Sequence, residues 1–393
     1  MSHIYIYSPG LAHRGGAEKL TYCLAEFLAR GATVFIVTHT AVDLVREGFY
    51  FGNDLRKVRL LQLQRPADDK LSSRQRSVAN DFATYHFLKD HPIDLFINLS
   101  FYSHMPPVGR KSVYWCMFPQ TQAFSQSLLA DGALMAAIPG AAKMLLEFPT
   151  TIADYSQVVA ISQFVKHYVG VHWELQATTL YPYCDDMSLP NIAKRKIILT
   201  MGRFCDGPSR THPKRQDVLL DAFLRNPELS AQGWELHMVG SAALDDVSLA
   251  YRQQLGERAV GAPVFFHDGA DREEVVRLCN EATVYCHCAG FGTDVAQDPQ
   301  AQEHFGITTV EAMSAGCVPV VFKSAGQIET VLHEQNGFHF TQASELDYYL
   351  KILTSSDTLC KQMGTKSRQR ARLFQKQAVD EAVAALMTTL EMF

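Results

Sequence analysis

The chain repeats one pattern of hydrophobic and polar positions: a short apolar run, a glycine-containing loop, an amphipathic segment, then another apolar run. Residues 4–7, 8–16, 17–30 and 33–37 fit strand, loop, helix and strand. That alternation predicts a parallel, doubly wound α/β sheet. Apolar runs at 58–63, 95–99, 112–116 and 158–161 extend the sheet, with a long helix predicted over 73–89. The pattern then restarts, with strands expected at 196–201, 235–239, 264–267, 284–287 and 318–322 and helices at 214–223, 272–279 and within 303–315. Two helical segments follow Ala343 and end in 377–390, which is placed to return to the first half.

Between the halves, Tyr181-Pro182-Tyr183-Cys184-Asp185-Asp186 has turn-forming chemistry, and proline biases its predecessor away from helix. The expected division is a first Rossmann-like domain at 1–183, joined by the terminal helix 376–393, and a second at 184–375. The 393 residues exceed what one hydrophobic core normally holds, which favours the same division. Sheets of this kind bind ligands at the carboxyl ends of their strands, so the expected fold is two doubly wound domains facing a central cleft.

Composition removes several alternatives. Hydrophobic residues at 47% and charged residues at 20% describe an ordinary folded protein, neither disordered nor membrane-embedded. The formal charge of −5 gives no bulk attraction for nucleic acid. The most apolar stretch, 128–146, is interrupted by Asp131, Gly132, Pro139, Gly140 and Lys143, which predicts a core or surface helix rather than a membrane span. Residues 1–7 hold no basic segment followed by a long apolar run, so no secretory leader is read there and a cytoplasmic location is expected. Nine cysteines are scattered without paired CxxC spacing, and His287-Cys288 has no matching second pair, so buried thiols are expected and no metal site.

The candidate chemistry lies mainly in the second half. Glu303 and Glu311 stand eight positions apart around a helix expected to begin near Gly306. The first amides of a helix lack intrahelical partners and its dipole is positive there, which favours a phosphate just beyond the N-terminus. A carboxylate on either side accepts hydrogen bonds from vicinal hydroxyls, one suited to a sugar and one to a ribose. Isolated glutamates at such a spacing are usually just solvated; the surrounding residues carry the argument here.

The run EHFGITTVEAMSAGCVPVV, residues 303–321, resembles glycosyltransferase family 4, whose mark is E-x7-E followed by a small-residue turn and a Pro-Val strand. It is especially similar to the dolichol-linked-glycan mannosyltransferases and their bacterial polysaccharide relatives. The resemblance implies a GT-B fold and metal-independent transfer of a sugar, with retention, from a GDP- or UDP-linked donor. No cofactor is implied beyond that substrate. It assigns Glu303 to the donor sugar hydroxyls, Glu311 to the ribose, and His304-Phe305-Gly306-Ile307-Thr308 to the donor, the Gly306, Ile307 and Thr308 amides lying on the phosphates. Met201-Gly202-Arg203 followed by Lys214 is similar to the family's diphosphate-binding pair, so Arg203, Lys214 and Glu303 are the expected catalytic residues. Two fixed cations would stabilise the charge growing on a leaving nucleoside diphosphate. Gly15-Gly16-Ala17-Glu18 is similar to the family's diglycine loop and adds Gly15 and Gly16 to the donor contacts.

One position departs from the family. A histidine often stands two residues before a proline in the first domain, and here Met117 precedes Phe118-Pro119. A thioether does not donate that hydrogen bond. His104 and Gln120 lie nearby in sequence, Gln120 being the candidate to point into the cleft. The expected acceptor is a glycan or lipid-linked hydroxyl, with peripheral membrane contact in the lipid-linked case. The rival readings are a GT-B sugar-nucleotide epimerase, a phosphorylase, and a non-catalytic nucleotide-sugar-binding protein.

Overall fold

The computed structural model describes residues 2–11, 15–64, 71–138, 140–148, 150–205, 213–241 and 245–392. The chain divides into two units, Met1–Tyr183 with Val379–Phe393, and Cys184–Ala378. In the first unit the elements run β1 (His3–Tyr7), α1 (Gly16–Leu28), β2 (Thr33–Thr38), α2 (Leu44–Phe51), β3 (Val58–Gln62), α3 (Ser73–Leu88), β4 (Leu95–Asn98), β5 (Lys111–Cys116), α4 (Gln122–Leu129), α5 (Gly132–Ala137), α6 (Ala141–Leu146), α7 (Thr150–Ala153), β6 (Gln157–Ala160), α8 (Gln163–Trp173) and β7 (Thr178–Thr179). The second unit has β8 (Arg195–Met201), α9 (Gln216–Leu224), α10 (Pro227–Ala231), β9 (Glu235–Gly240), α11 (Asp246–Arg258), β10 (Val264–Asp268), α12 (Arg272–Glu281), β11 (Ala282–His287), α13 (Ile307–Ser314), β12 (Val318–Phe322), α14 (Gln327–Thr330), β13 (Phe338–Phe340), α15 (Ala343–Thr354) and α16 (Asp357–Ala371). Helix α17 (Lys376–Thr389) then places Val379, Val383, Leu386 and Met387, one face at helical spacing, in the core of the first unit.

Both sheets are parallel, in the orders β3-β2-β1-β4-β5-β6-β7 and β10-β9-β8-β11-β12-β13. Strand order reverses at β1/β4 in the first and at β8/β11 in the second, and doubly wound sheets bind ligands beyond the strand ends at such a reversal. The central strands are buried on both faces, β4 along its whole length, so they show in the sequence as unbroken apolar runs rather than alternation.

Local chemistry explains where the structure departs from the sequence reading. The stretch 128–146 is not one helix: the Asp131 carboxylate accepts from the Ala133 and Leu134 amides at 3.0 and 3.1 Å, caps α5 and ends α4 before it. Lys214 does not open a helix, since Arg215 sits in the left-handed region at φ 51° and α9 begins at Gln216. Three helices, not two, follow Ala343. All nine cysteines are buried thiols. Among the described residues no helix is long and apolar enough to cross a membrane.

At the carboxyl ends of β1 and β4 lies a buried polar network. Tyr7 Oη donates to Asp81 Oδ1 at 3.0 Å and the His104 amide to Asp81 Oδ2 at 2.7 Å. Asn98 Nδ2 donates to Ser103 Oγ at 2.9 Å. Gln120 is part of this core and does not face a cleft, because its Nε2 donates to the Ser103 carbonyl at 3.0 Å and its own carbonyl accepts from Trp173 Nε1. The His104 ring is likewise buried, 3.0 Å from Ser125 Oγ, and burial lowers its pKa to about 3. Met117 is half-buried against the first unit's core.

Burial pushes the Asp81 carboxyl up to about 7 against the donors around it. A carboxyl raised above its unfolded value of about 3.9 holds its proton more tightly when folded, so its burial costs nothing below pH ~4 and costs most above pH ~7. Relative to Asp81→Asn, the wild type is therefore expected to lose on the order of a few kcal/mol of stability between pH 4 and 8. Urea unfolding of both proteins at pH 5 and pH 8 measures the gap, and a gap independent of pH would contradict this account.

Candidate active site

The site forms at the β8/β11 strand ends of the second unit. Gly202, just past β8, lets the Lys214 stem pass over it: a methyl added at Gly202 would lie 3.1 Å from Lys214 Cγ. Gln216 Nε2 ties the same strand end down by donating to the carbonyls of Gly202 and Arg203 at 3.1 and 3.0 Å. Arg215 fastens the start of α9, gripping Asp217 with two nitrogens at 3.1 and 3.0 Å and donating to the Phe291 carbonyl at 2.6 Å. The left-handed turn at Arg215 thereby directs the preceding residue, Lys214, away from the helix.

Lys214 meets Glu303. Its Nζ lies 2.5 Å from Glu303 Oε2, with the two side chains 17% and 16% exposed, a charge-assisted contact largely screened from water. His287, the last residue of β11, brings Nε2 to 3.3 Å from the same oxygen. Its ring is buried, which lowers its pKa and keeps the imidazole neutral.

Beyond Glu303 the chain enters α13 through Gly306 at φ 94°. A side chain there would be strained, and its Cβ would stand 2.8 Å from Gln327 Nε2. The Thr309 and Val310 amides donate to the Gly306 carbonyl, while those of Ile307 and Thr308 stand in the first turn, where the helix supplies no acceptor. Thr308 Oγ1 is 2.8 Å from Tyr285 Oη, so β11 braces this helix start from beneath. Glu311, one turn further in, is buried.

The structure thus gathers Lys214, Glu303, Gly306, Ile307, Thr308 and Glu311 along one loop and helix start. Arg203 is exposed, and no hydrogen bond or ion pair among the described residues joins it to Lys214 or Glu303. His304 and Phe305 face inward: both are buried, and the Phe305 ring meets Phe374 edge-on at 5.4 Å. Gly15 and Gly16 belong to the other unit, at the head of α1, where the Gly15 amide already donates to Glu18 Oε2 at 3.1 Å. His287 was missed by sequence reasoning as a site residue; the only signal was its position at the end of an apolar strand followed by a glycine-rich loop.

The family described as Glycosyl transferases group 1 matches residues 187–370, nearly the whole second unit. Over the domain spanning residues 187–370 the chain is similar to the group 1 glycosyl transferases. Within this domain lie all the paired residues of the site, and the resemblance read from residues 303–321 holds across it. Over 112 residues the chain is 30% identical to a GDP-Man:Man(3)GlcNAc(2)-PP-Dol alpha-1,2-mannosyltransferase of Dictyostelium discoideum. That match takes in 28% of this chain and spans only 20% of the relative's length. Among solved structures, Anabaena HepE in complex with UDP and glucose superposes with a TM-score of 0.68 at 16% identity, covering 99% of this chain and 100% of that one. A sucrose-phosphate synthase from Thermosynechococcus elongatus gives a TM-score of 0.71 at 16% identity, covering 99% of each chain. At this identity the likeness establishes the fold, and that fold is GT-B.

Proposed function

We propose that the chain transfers a hexose, mannose or a close relative, from a nucleoside diphosphate sugar to a hydroxyl of a glycan or lipid-linked acceptor, with retention and without a metal ion. The observation that carries this reading is the Lys214–Glu303 pair beside the helix start opened by Gly306. One anion and one cation stand next to the first-turn amides of α13, for which the helix itself has no acceptor, a set suited to a sugar hydroxyl and a diphosphate together. In the reaction the acceptor oxygen bonds to the anomeric carbon as the bond from that carbon to the diphosphate oxygen breaks. The acceptor's proton passes to the departing diphosphate.

In this scheme Glu303 accepts from the sugar hydroxyls and Glu311 from the ribose. Lys214 and the α13 amides take the growing negative charge. Arg203, exposed beyond β8, supplies the second cation once a diphosphate gives it a partner. Gly15 and Gly16 stay in the proposal as donor contacts from the first unit. The donor base rests on two hints of different kind: the Dictyostelium relative is named for GDP-mannose, and HepE was solved with UDP. The reaction is placed in the cytoplasm, at the inner membrane face where the acceptor is lipid-linked.

A thermal-shift panel of GDP- and UDP-sugars followed by measurement of released nucleoside diphosphate tests the reading, because a bound donor raises the melting temperature by mass action. One donor is expected to shift the melt and be consumed. Glu303→Ala is expected to abolish consumption while nucleoside diphosphate still binds within a few-fold of wild type. No shift with any nucleotide sugar would remove the proposal.

A further inference from the structure

We propose that His287 is a positioning residue that sets the orientation of Glu303. The proposal rests on the reading of Glu303 as the carboxylate that grips the donor sugar. Residues 285 and 287 alternate onto one face of β11, with their rings 6.4 Å apart. Each supports the donor loop at a different point: Tyr285 reaches Thr308 Oγ1 at 2.8 Å, and His287 Nε2 stands 3.3 Å from Glu303 Oε2.

Both ring nitrogens of His287 are buried and neither completes a hydrogen bond among the described residues, Nε2 lying 3.3 Å from Glu303 Oε2 as a close polar contact. A neutral imidazole carries one N–H, and the carboxylate of Glu303 is the acceptor within reach, so the proton belongs on Nε2. Lys214 contacts the same oxygen at 2.5 Å. The lysine head sits on a flexible stem in the loop before α9. The imidazole is rigid and fixed at the end of a central strand. Held from two elements at Oε2, Glu303 has a set plane, and with it a set direction for Oε1. His287 supplies this without adding charge, which leaves the Lys214 cation as the group that answers the diphosphate.

The test compares His287→Leu, which removes the N–H, with His287→Gln, whose Nε2 reaches a comparable point. In His287→Leu, the turnover number for donor consumption is expected to fall about 10–100-fold, the range of a lost supporting contact, while affinity for the free nucleoside diphosphate, which has no sugar, stays within about 2-fold. His287→Gln is expected to restore most of the loss and to leave the pH profile between 6 and 8 unchanged. Equal defects in Leu and Gln variants, or loss of nucleoside diphosphate binding in step with turnover, would overturn the proposal in favour of simple core packing. A crystal structure of His287→Leu gives a readout independent of turnover: Glu303 is expected to leave its Lys214-paired orientation, and an unmoved Glu303 would refute positioning. Wild-type protein that consumes no nucleotide sugar would instead count against the proposed function, and the crystal structure would still decide the role of His287.

Discussion

Lys214→Ala is expected to slow sugar-nucleotide cleavage by about 10²–10³-fold, the loss typical of removing one fixed group that stabilises developing charge. Two effects combine in this variant. In the proposed reaction the diphosphate loses one of its two cations, and Glu303 keeps a largely buried carboxylate whose ion-pair contact at 2.5 Å is gone. The second effect also disturbs the ground state, so the Michaelis constant is expected to rise together with the fall in turnover number. Lys214→Arg keeps the charge but replaces a compact ammonium with a planar fork on a site closed by Gly202, and is expected to recover only part of the activity. Steady-state release of nucleoside diphosphate from the three proteins decides the matter. Rates within about 3-fold of wild type for Lys214→Ala, well below the loss expected of a charge-stabilising group, would show that this cation takes no part in cleavage.

Gly326→Ala carries the largest expected structural cost. The added methyl would lie 2.3 Å from the His304 carbonyl oxygen and 2.3 Å from Phe305 Cα, both backbone atoms with no rotamer to yield. The Gly326 amide also donates to the Glu303 carbonyl at 3.0 Å, so the contact that is disrupted runs directly beneath the candidate site. Overpacking of this kind costs about 1–3 kcal/mol and at times more. The expected result is a lower urea midpoint and weakened nucleotide binding in the same variant. Gly132→Ala provides the contrast: nothing lies within 4 Å of the added methyl and the residue opens a helix, so stability is expected to hold or rise. Equal urea midpoints for Gly326→Ala and wild type would show that the loop has more room than its packing indicates.

The donor loop depends on both results for the same reason. Its carboxylate meets residues from two separated segments, and its backbone is wedged against the start of α14. Small changes on any side are transmitted to the position of Glu303 because packed backbone has little slack.

The alternation of apolar runs with amphipathic segments was enough to read two parallel, doubly wound α/β units, because strands buried on both faces, such as β4 and β12, must be continuously apolar. Elements that lack such a signature were not legible. Helix α11 buries only Ser248, Tyr251 and Leu255, too sparse a stripe to stand out, and β13 has three residues and owes its pairing to β12. The Asp131 cap was present in the sequence but was overruled by the apolar residues on either side.

The spacing of Glu303 and Glu311 around Gly306 is local, set by one turn of chain and one helix, and the sequence alone determined it. The meeting of Lys214 and Glu303 spans 89 positions and exists because β8 and β11 are neighbours where the strand order reverses. His287 joins them for the same reason: its place beside Glu303 comes from the register of β11 beside β8 and β12, and its own neighbourhood marks it only as the end of an apolar strand before a glycine-rich loop. Gln120 shows the converse, a polar residue whose sequence position pointed toward a ligand and whose hydrogen bonds bury it in a core. Periodicity and capping act within a few residues and are written in the chain, whereas which side chains share a carboxylate is decided by strand order, where long-range packing chooses among arrangements that the local pattern leaves equally open.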